Sequence, residues 1–286
     1  MRVLLAGGTQ KTLLDDAAPA LLPFFTTRDA CALRLVCREF LAAVREHPWE
    51  DRRTVIQGSI AAWRACFPRA RCANVGRYAI MDGAVARKAR VYDADFVHFA
   101  GLRELNMANC TDITDAAFAH LRGIHSLDMF ICSQITDAAF VHLAGIQRLG
   151  MYGCSRITDA AFVHLRGMQL LNIMYCSQLT DAAFVHLRGI KVLFMEGFNQ
   201  PAITDAAFAH LRGIRTLVLD HCAQATIAGA TFSSLAGIEA LCLDGCSAEA
   251  AAAARALGLP VPSRGLAALG RACAFYPWPK PRAAPW

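Results

Sequence analysis

The chain has 286 residues and a net charge of +6, from 29 basic and 23 acidic residues, and 55% of its residues are hydrophobic. The basic residues are scattered, and no basic tract carries interleaved aromatic side chains, which argues against nucleic-acid binding. No apolar stretch of the sequence approaches the roughly 18 residues of a membrane span, so no membrane association is expected.

Residues 1–12 form a short lead, after which a helical pattern begins. Over 13–50, apolar residues recur at helical spacing, with one break at 26–29 that is typical of a helix cap, and Trp49 closes the segment. Residues 51–91 are less regular, although Ser59 can cap a short helix that Pro68 stops. We interpret 51–91 as a linker and a degenerate repeat that covers one end of the array that follows.

One phrase, repeated almost unchanged up to Cys246, dominates residues 92–258, which we take as the repeat domain. It reads Ile-Thr-Asp-Ala-Ala-Phe-x-His-Leu-x-Gly-Ile-x-x-Leu-x-Met-x-x-Cys, and its last position advances in steps of 22, 22, 22, 22, 24 and 24 residues. The residues at that position are Cys110, Cys132, Cys154, Cys176, Phe198, Cys222 and Cys246. A fixed period of this length predicts a solenoid, in which each unit buries its apolar face against its neighbours.

Each unit combines a helix with a short strand. Phe118 and Leu121 are three residues apart and share one helix face, Thr114 and Asp115 can cap this helix, and Gly123 ends it. The period then changes to two along the Leu-x-Met stretch, so alternate side chains point to opposite faces. The predicted fold class is therefore an α/β solenoid, a leucine-rich horseshoe of about seven parallel strands on the concave side with helices on the convex side.

The repeat fades after Cys246. An alanine-rich helix is predicted at 248–257, and residues 259–286 form a Pro-rich, irregular tail. Six of the 12 cysteines hold one repeat position, where a small apolar side chain can stack inside the solenoid, and no CxxC pair is present in the sequence. We therefore expect reduced thiols, no disulfide, no tightly bound zinc and an intracellular location.

Two repeated polar residues admit a functional interpretation that we consider and set aside. His142 and its equivalents follow the buried phenylalanine by two residues, and no carboxylate or thiol shares their spacing, which favours surface residues over a metal site. Asp137 and its equivalents at the helix starts are identical copies without opposed environments, which favours helix caps over acid–base catalysis. We predict no enzyme activity, no cofactor and no metal.

Three columns of strand positions vary while the rest of each unit is monotonous. Such variation is typical of a tailored binding surface, with drift at exposed sites as the alternative. The residues predicted to bind a protein target are Asp128, Phe130, Arg148, Tyr152, Asn172, Met174, Phe194, Glu196, Asp220 and Asp244. The aromatic centre and acidic C-terminal end of this set favour a target with an apolar anchor followed by basic residues.

The repeat, Leu-x-x-Leu-x-Leu-x-x-Cys followed by Ile-Thr-Asp, resembles the cysteine-containing class of leucine-rich repeat over residues 92–247. The segment 13–50 resembles the F-box through the stretch from Leu33 to Phe40 and the later Trp49, although Leu13-Leu14 stands where a Leu-Pro opening is usual. Together they resemble an F-box/leucine-rich-repeat protein. The near-identity of the repeats is also similar to proteins of this type encoded by giant DNA viruses.

This resemblance implies the substrate receptor of an SCF-type ubiquitin ligase, monomeric outside its complex and located in the cytoplasm or nucleus. The F-box would dock a Skp-type adaptor, and the concave face would hold a protein target. The implied adaptor-binding residues are Leu13, Leu14, Leu22, Phe25, Leu33, Leu35, Val36 and Phe40. The alternative is a stand-alone interaction scaffold whose F-box-like helices only cap the solenoid.

Overall fold

The computed structural model describes residues 21–33, 35, 38–52, 54–76, 90–197 and 201–262. Leu13, Leu14, Val36 and Phe198 lie outside these residues, as do the N-terminal lead and residues 263–286 of the Pro-rich tail. For Leu33 only the backbone, which is helical, is described.

Short helices form the N-terminal part of the described chain. A 3-10 turn at Leu22–Phe24 is followed by α1 (Thr27–Leu33), α2 (Arg38–Glu46) and α3 (Ile60–Cys66). As the sequence predicts, the Ser59 side chain caps α3 by accepting a hydrogen bond from the backbone N–H of Ala62. Leu22, Ala30, Val44, Trp49, Phe67 and Ala70 form a small apolar core between these elements. Trp63 contacts both this core and the core of the repeats, so the two are packed together.

Within the described residues, eight short strands form one parallel sheet whose order follows the sequence. They are β1 (Cys72–Asn74), β2 (Glu104–Asn106), β3 (Ser126–Asp128), β4 (Arg148–Gly150), β5 (Leu170–Asn172), β6 (Val192–Phe194), β7 (Thr216–Val218) and β8 (Ala240–Cys242). Neighbouring strands pair at equivalent repeat positions, so Leu105, Leu127 and Leu149 lie side by side. The predicted α/β solenoid is confirmed, and β1, from the irregular segment before the repeats, adds a strand that the sequence did not indicate.

The helix of each repeat is mostly a 3-10 helix rather than an α-helix. These helices span Asp93–Phe99, Asp115–Leu121, Asp137–His142, Asp159–His164, Val185–Leu187, Asp205–His210 and Phe232–Leu235, with one α-helical turn, α4 (Asp181–Phe184), before Val185. A 22-residue unit leaves little room for a helix, and short segments favour the tighter 3-10 form. A glycine then turns the chain toward the next strand, as at Gly123 with φ 80°.

Two columns of large side chains fill the space between the sheet and the 3-10 helices. The phenylalanines at Phe96, Phe118, Phe140, Phe162, Phe184, Phe208 and Phe232 are all fully buried. Phe99, Leu121, Leu143, Leu165, Leu187, Leu211 and Leu235 form the second buried column. The helix face predicted to be internal is therefore the internal one, and burial of its apolar surface is the main stabilising contribution to the solenoid.

The cysteine column lies inside the solenoid, and its thiols form hydrogen bonds between successive repeats. Cys154 Sγ donates a hydrogen bond to the backbone oxygen of Met129 at 3.2 Å, and Cys176 Sγ does so to Met151 at 3.0 Å. Burial raises the pKa of the Cys154 thiol to about 12. The thiol therefore stays protonated, and its role is that of a small apolar group with one weak donor.

An aspartate–threonine ladder runs along the N-terminal ends of the 3-10 helices, on the helix-covered side of the sheet, here called the convex side. Thr158 donates to Asp137 of the preceding repeat twice, from its backbone N to Oδ1 at 2.8 Å and from Oγ1 to Oδ2 at 2.6 Å. The equivalent pairs are Asp93–Thr114, Asp115–Thr136, Asp159–Thr180 and Asp181–Thr204. Thr158 also caps its own helix, as predicted for this position. The aspartates, predicted to be caps, instead link each repeat to the next.

The C-terminal end of the sheet is covered by the chain itself. Ser247 caps α5 (Ala248–Ala256), and Ala250 and Ala254 of this helix are buried against the repeats. Beyond the helix, the backbone oxygen of Pro260 accepts a hydrogen bond from the N–H of Leu241 in β8 at 3.0 Å. This contact occupies an edge of β8 that would otherwise be open to pairing with another chain.

Candidate protein-binding surface

The sheet face turned away from the 3-10 helices, here called the concave face, carries three columns of side chains. The first column consists of Glu104, Ser126, Arg148, Leu170, Val192, Thr216 and Ala240. The middle column consists of Asn106, Asp128, Gly150, Asn172, Phe194, Val218 and Cys242. The last column follows the strand ends and consists of Ala108, Phe130, Tyr152, Met174, Glu196, Asp220 and Asp244.

The side chains of the middle column are buried, whereas the sequence analysis expected them to be exposed on this face. Asp128 Oδ1 accepts a hydrogen bond from the backbone N of Phe130 at 3.2 Å, and Asn172 Oδ1 accepts one from that of Met174 at 2.9 Å. Phe194 is only 3% exposed. Asp128 and Asn172 therefore fix the turns at the strand ends, because a short polar side chain can form a hydrogen bond to the backbone two residues ahead.

Phe194 is buried by a second apolar cluster that lies on the concave side of the sheet. Its buried members are Leu170, Phe194, Val218, Ala240 and Cys242, and the half-buried Met174 and Val192 pack against them. The C-terminal half of the concave face is thus covered by apolar side chains from four neighbouring strands, β5 to β8.

Three aromatic rings stand beside this cluster in the last column and the turn that follows it. The Phe130 and Tyr152 rings are stacked, with centroids 4.3 Å apart and planes 20° apart. Tyr175 lies against Tyr152 with a centroid distance of 4.9 Å. Burial, followed by the neighbouring Tyr175 and Glu196, raises the pKa of Tyr152. The rings form a rigid, partly exposed aromatic surface of the kind that dominates binding energy at protein interfaces.

The position after the last column was missed by the sequence analysis. There the backbone is left-handed in repeat after repeat, with glycine at Gly153, Gly197 and Gly245 but larger residues at Ile131 (φ 52°) and Tyr175 (φ 58°). Both side chains are exposed, Tyr175 by 52%. A left-handed conformation is strained for a bulky or β-branched residue, and such strain is concentrated at functional sites. The alternation of glycine with large residues is the sequence signal that would have identified them.

The N-terminal end of the concave face is polar and partly charged. Glu104 Oε1 accepts hydrogen bonds from Arg52 Nη2 at 2.6 Å and from Arg148 Nη2 at 3.2 Å, so Arg148 reaches across the intervening strand. The Glu104 side chain is 4% exposed and that of Arg148 is 24% exposed. Ser126 Oγ, buried between them, has no hydrogen-bond partner among the described residues. Arg148, predicted to touch the target, is therefore held in place by an ion pair within the chain.

The C-terminal end of the last column is acidic. Glu196 is half-buried, Asp220 is 4% exposed and Asp244 is exposed. Asp220 Oδ1 accepts a hydrogen bond from the backbone N of Asp244 at 2.9 Å, which fixes its orientation. Because these carboxylates follow three neighbouring strands, they form one negative strip beside the aromatic rings.

Two features that mark other kinds of site are absent from the described part of the chain. It contains no group of three or more His, Cys, Asp or Glu side chains arranged to hold a metal ion. None of its helices combines the length and apolar character that crossing a membrane requires.

The predicted adaptor-binding residues fall into two groups where they are described. Leu22 is buried in the small N-terminal core, so its side chain packs inward. Phe25 and Leu35 are exposed, Leu35 by 80%, and Phe40 is half-buried. Leu21 and Leu41 are also exposed apolar side chains of this region, and the sequence analysis did not select them.

Comparison with known proteins gives likeness in structure only. No protein-family profile matches the chain, and no curated protein matches it in sequence. Among solved structures, a chain of the TLR13–ssRNA13 complex superposes with a TM-score of 0.50 at 16% identity, over 66% of this chain and 27% of that one. The chain has the leucine-rich-repeat fold.

Two further solved structures match with lower scores. A chain of the Drosophila Toll–Spatzle complex gives a TM-score of 0.49 at 12% identity, over 80% of this chain and 32% of that one. A chain of the yeast Rad7–Elc1 complex gives a TM-score of 0.34 at 13% identity, over 87% of this chain and 93% of that one. This chain spans about a third or less of the length of the matched chains from the TLR13 and Toll complexes.

Proposed function

We propose that this leucine-rich-repeat protein is a non-enzymatic substrate receptor of an SCF-type ubiquitin ligase. Its N-terminal helices dock a Skp-type adaptor, and its concave face holds a protein target. The chemistry is left to the ligase, and this chain acts by bringing the target close to it. The proposal rests on the resemblance of residues 13–50 to the F-box and of residues 92–247 to cysteine-containing leucine-rich repeats.

The observation that carries the target-binding half is the aromatic surface of Phe130, Tyr152 and Tyr175. These side chains are partly exposed and are held rigid by mutual contact, so they lose little conformational freedom when a partner covers them. The apolar cluster around Phe194 lies on the same face of the sheet, and the acidic strip beside the rings selects the charge of the partner.

The adaptor-binding half is supported by exposed apolar side chains at the N-terminal end. Phe25, Leu35 and Leu41 are exposed although the small core beside them is closed by Leu22 and Trp49. Apolar side chains that a core leaves exposed are available to a second protein. Since this core is itself packed against the repeats through Trp63, a docked adaptor would be held in a fixed position relative to the concave face.

The test is titration of the full chain with a purified Skp-type adaptor. We expect binding at micromolar concentration or tighter for the wild-type chain, and loss of at least about 2 kcal/mol of binding energy on Leu35→Asp, because a carboxylate would be buried at the interface. The matched control is Leu257→Asp, which changes an exposed leucine next to α5, at the other end of the solenoid. Equal behaviour of the two variants would contradict adaptor binding through the N-terminal helices.

The second candidate is a stand-alone interaction scaffold, in which the N-terminal helices only cap the solenoid. The burial of Leu22 with Val44 and Trp49 favours it, because these residues close the N-terminal end without needing any partner. A wild-type chain that binds no adaptor at micromolar concentration, while keeping its target, would support the scaffold. Under either candidate we propose that the chain carries no enzyme activity.

A further inference from the structure

A strained tyrosine stands where the repeat otherwise places glycine. Tyr175 has φ 58°, and its equivalents in the repeats before and after, Gly153 and Gly197, show that the turn does not need a side chain there. The Tyr175 ring leans over Gly197 so closely that a Cβ added to that glycine would lie 2.9 Å from the tyrosine Oη. The strained backbone and the missing side chain at Gly197 together hold one tyrosine ring in one exposed orientation.

The surroundings of this ring are negatively charged. Glu196 directly precedes Gly197 and is half-buried, and Asp220 and Asp244 continue the same column on the next two strands. Tyr152 supports the ring from the other side, with 4.9 Å between centroids. An exposed aromatic ring beside carboxylates attracts a cation, which can stack on the ring and pair with the acid at once. Phosphate-bearing ligands are disfavoured at such a site by the three carboxylates.

We propose that Tyr175 and Glu196 form a subsite for an arginine side chain of the target. This inference rests on the proposed function of the concave face and specifies what that face recognises. Arginine fits better than lysine because a planar guanidinium can stack on a ring while its fork donates to a carboxylate, whereas an ammonium is a compact, strongly hydrated charge. A second basic residue of the same segment pairs with the exposed Asp244.

The strand spacing sets the spacing of the recognised residues. Phe130 follows β3 and Glu196 follows β6. The distance between them is therefore three strand spacings of about 4.8 Å, or about 14 Å. The distance from Glu196 to Asp244, which follows β8, is two strand spacings, or about 10 Å. An extended segment covers about 3.4 Å per residue, so it presents an apolar anchor, an arginine about four residues later and a second basic residue about three residues after that.

The experiment is selection of 16-residue peptides, displayed on phage, on the immobilised full chain. Enriched peptides should carry an aromatic or large aliphatic residue followed by arginine at the stated spacing, with arginine favoured over lysine at the first basic position. One enriched peptide, synthesised with a fluorescent label, is then titrated against variants. We expect at least about tenfold weaker binding to Tyr175→Gly and about fivefold weaker binding to Glu196→Gln.

A matched control and a substitution in the peptide make the test specific. Asn109→Gly changes the same left-handed position at the polar end of the face and should leave affinity within about twofold. Replacing the peptide's arginine by lysine should weaken binding to the wild-type chain about fivefold, but should change little in Tyr175→Gly, which has no ring to stack on. Thermal melting should show that Tyr175→Gly is folded, because the substitution relieves strain.

The outcomes separate this subsite from the proposed function. Peptides whose binding needs Phe130 and Tyr152 but is unchanged by Tyr175→Gly would overturn the arginine subsite and leave target binding by the concave face standing. A selection that enriches no peptide over a parallel selection on the Phe130→Ala, Tyr152→Ala chain would overturn both. Binding of a mixed-sequence single-stranded RNA to the wild-type chain that is lost on Tyr175→Gly would overturn the assignment of a protein target.

Discussion

Oδ2 of Asp137 lies 2.6 Å from Oγ1 of Thr158, the residue that caps the helix of the next repeat. The same threonine accepts a hydrogen bond from the N–H of Ala160, so one hydroxyl both caps its own helix and joins it to the repeat before. The carboxylate thus bonds to two donors of one residue, in five repeats in turn along the described chain. This ladder explains why Thr-Asp is copied so strictly while the concave positions vary.

Asp137→Ala should destabilise the protein by about 2 kcal/mol. The substitution leaves the backbone N–H and the hydroxyl of Thr158 without their charged acceptor, and hydrogen bonds to charged groups are worth about 1.5–3 kcal/mol. Denaturant melts measure the loss. Glu239→Ala is the control, because this carboxylate forms only an exposed ion pair with Arg215 and should change stability by less than about 0.5 kcal/mol.

A double-mutant cycle of Asp137→Ala with Thr158→Val isolates the pair. We expect a coupling energy of about 1 kcal/mol or more, since the residues are in direct contact. Additive effects would show that the aspartate acts on its own helix, as the sequence analysis supposed, and not on the next repeat.

Phe140→Ala should destabilise the solenoid by about 3–5 kcal/mol, because it leaves a cavity between two repeats that cannot collapse fully. His142→Ala, two residues along the same 3-10 helix, should cost less than about 0.5 kcal/mol, because its half-exposed side chain accepts only an exposed hydrogen bond from Arg122. Denaturant melts of both variants provide the comparison. Similar losses would mean that the inward and outward faces of the helix have been assigned wrongly.

The repeat core could be predicted from the sequence because it obeys local periodicity. The spacing of Phe118 and Leu121 fixes one inward helix face, and that of Leu127 and Met129 fixes the inward strand face; all four are buried as expected. The parallel register follows, since identical units stack at identical positions. By contrast, β1 has no repeat signature and is recruited only because the edge of β2 is open to pairing.

The candidate site was predicted only in part, because its side chains depend on their neighbours rather than on the period. Alternation places Phe194 on the concave face but does not reveal that Leu170 and Val218 bury it there. Tyr175 was overlooked because a residue after a strand end is read as a turn, and its left-handed φ of 58° becomes evident only from the backbone. The link from Glu104 to Arg52 joins residues 52 apart in the chain, beyond any local pattern.

The buried cysteines should resist labelling in the native protein. Iodoacetamide at about pH 8 should modify the exposed Cys31 quickly but leave Cys132, Cys154 and Cys176 unmodified until the chain is unfolded, because burial raises their pKa values and excludes the reagent. Mass spectrometry of peptides from native and denatured samples measures this. Native labelling of the column at the rate of Cys31 would contradict its internal position.

Ile131→Gly should stabilise the protein by about 1 kcal/mol, although it removes a side chain. The left-handed backbone at Ile131 is strained for a β-branched residue and is favourable for glycine, which occupies the equivalent Gly153. Val141→Gly, at an exposed valine in a 3-10 helix, is the control and should lose about 0.5–1 kcal/mol. Thermal melts of both variants measure the change in stability. If Ile131→Gly lost as much stability as the control, the backbone at this position would carry no strain.

The central claim is that the concave face, and not the convex one, binds the target. Photo-crosslinking in cells tests it most directly, with benzoylphenylalanine placed either at Ile131, beside the aromatic rings, or at the exposed Val163 on the convex side. We predict that a partner is crosslinked from position 131 and is lost when Tyr152→Ala and Glu196→Lys are introduced, while position 163 gives no such product. A partner crosslinked from position 163 and unaffected by those two substitutions would contradict the account.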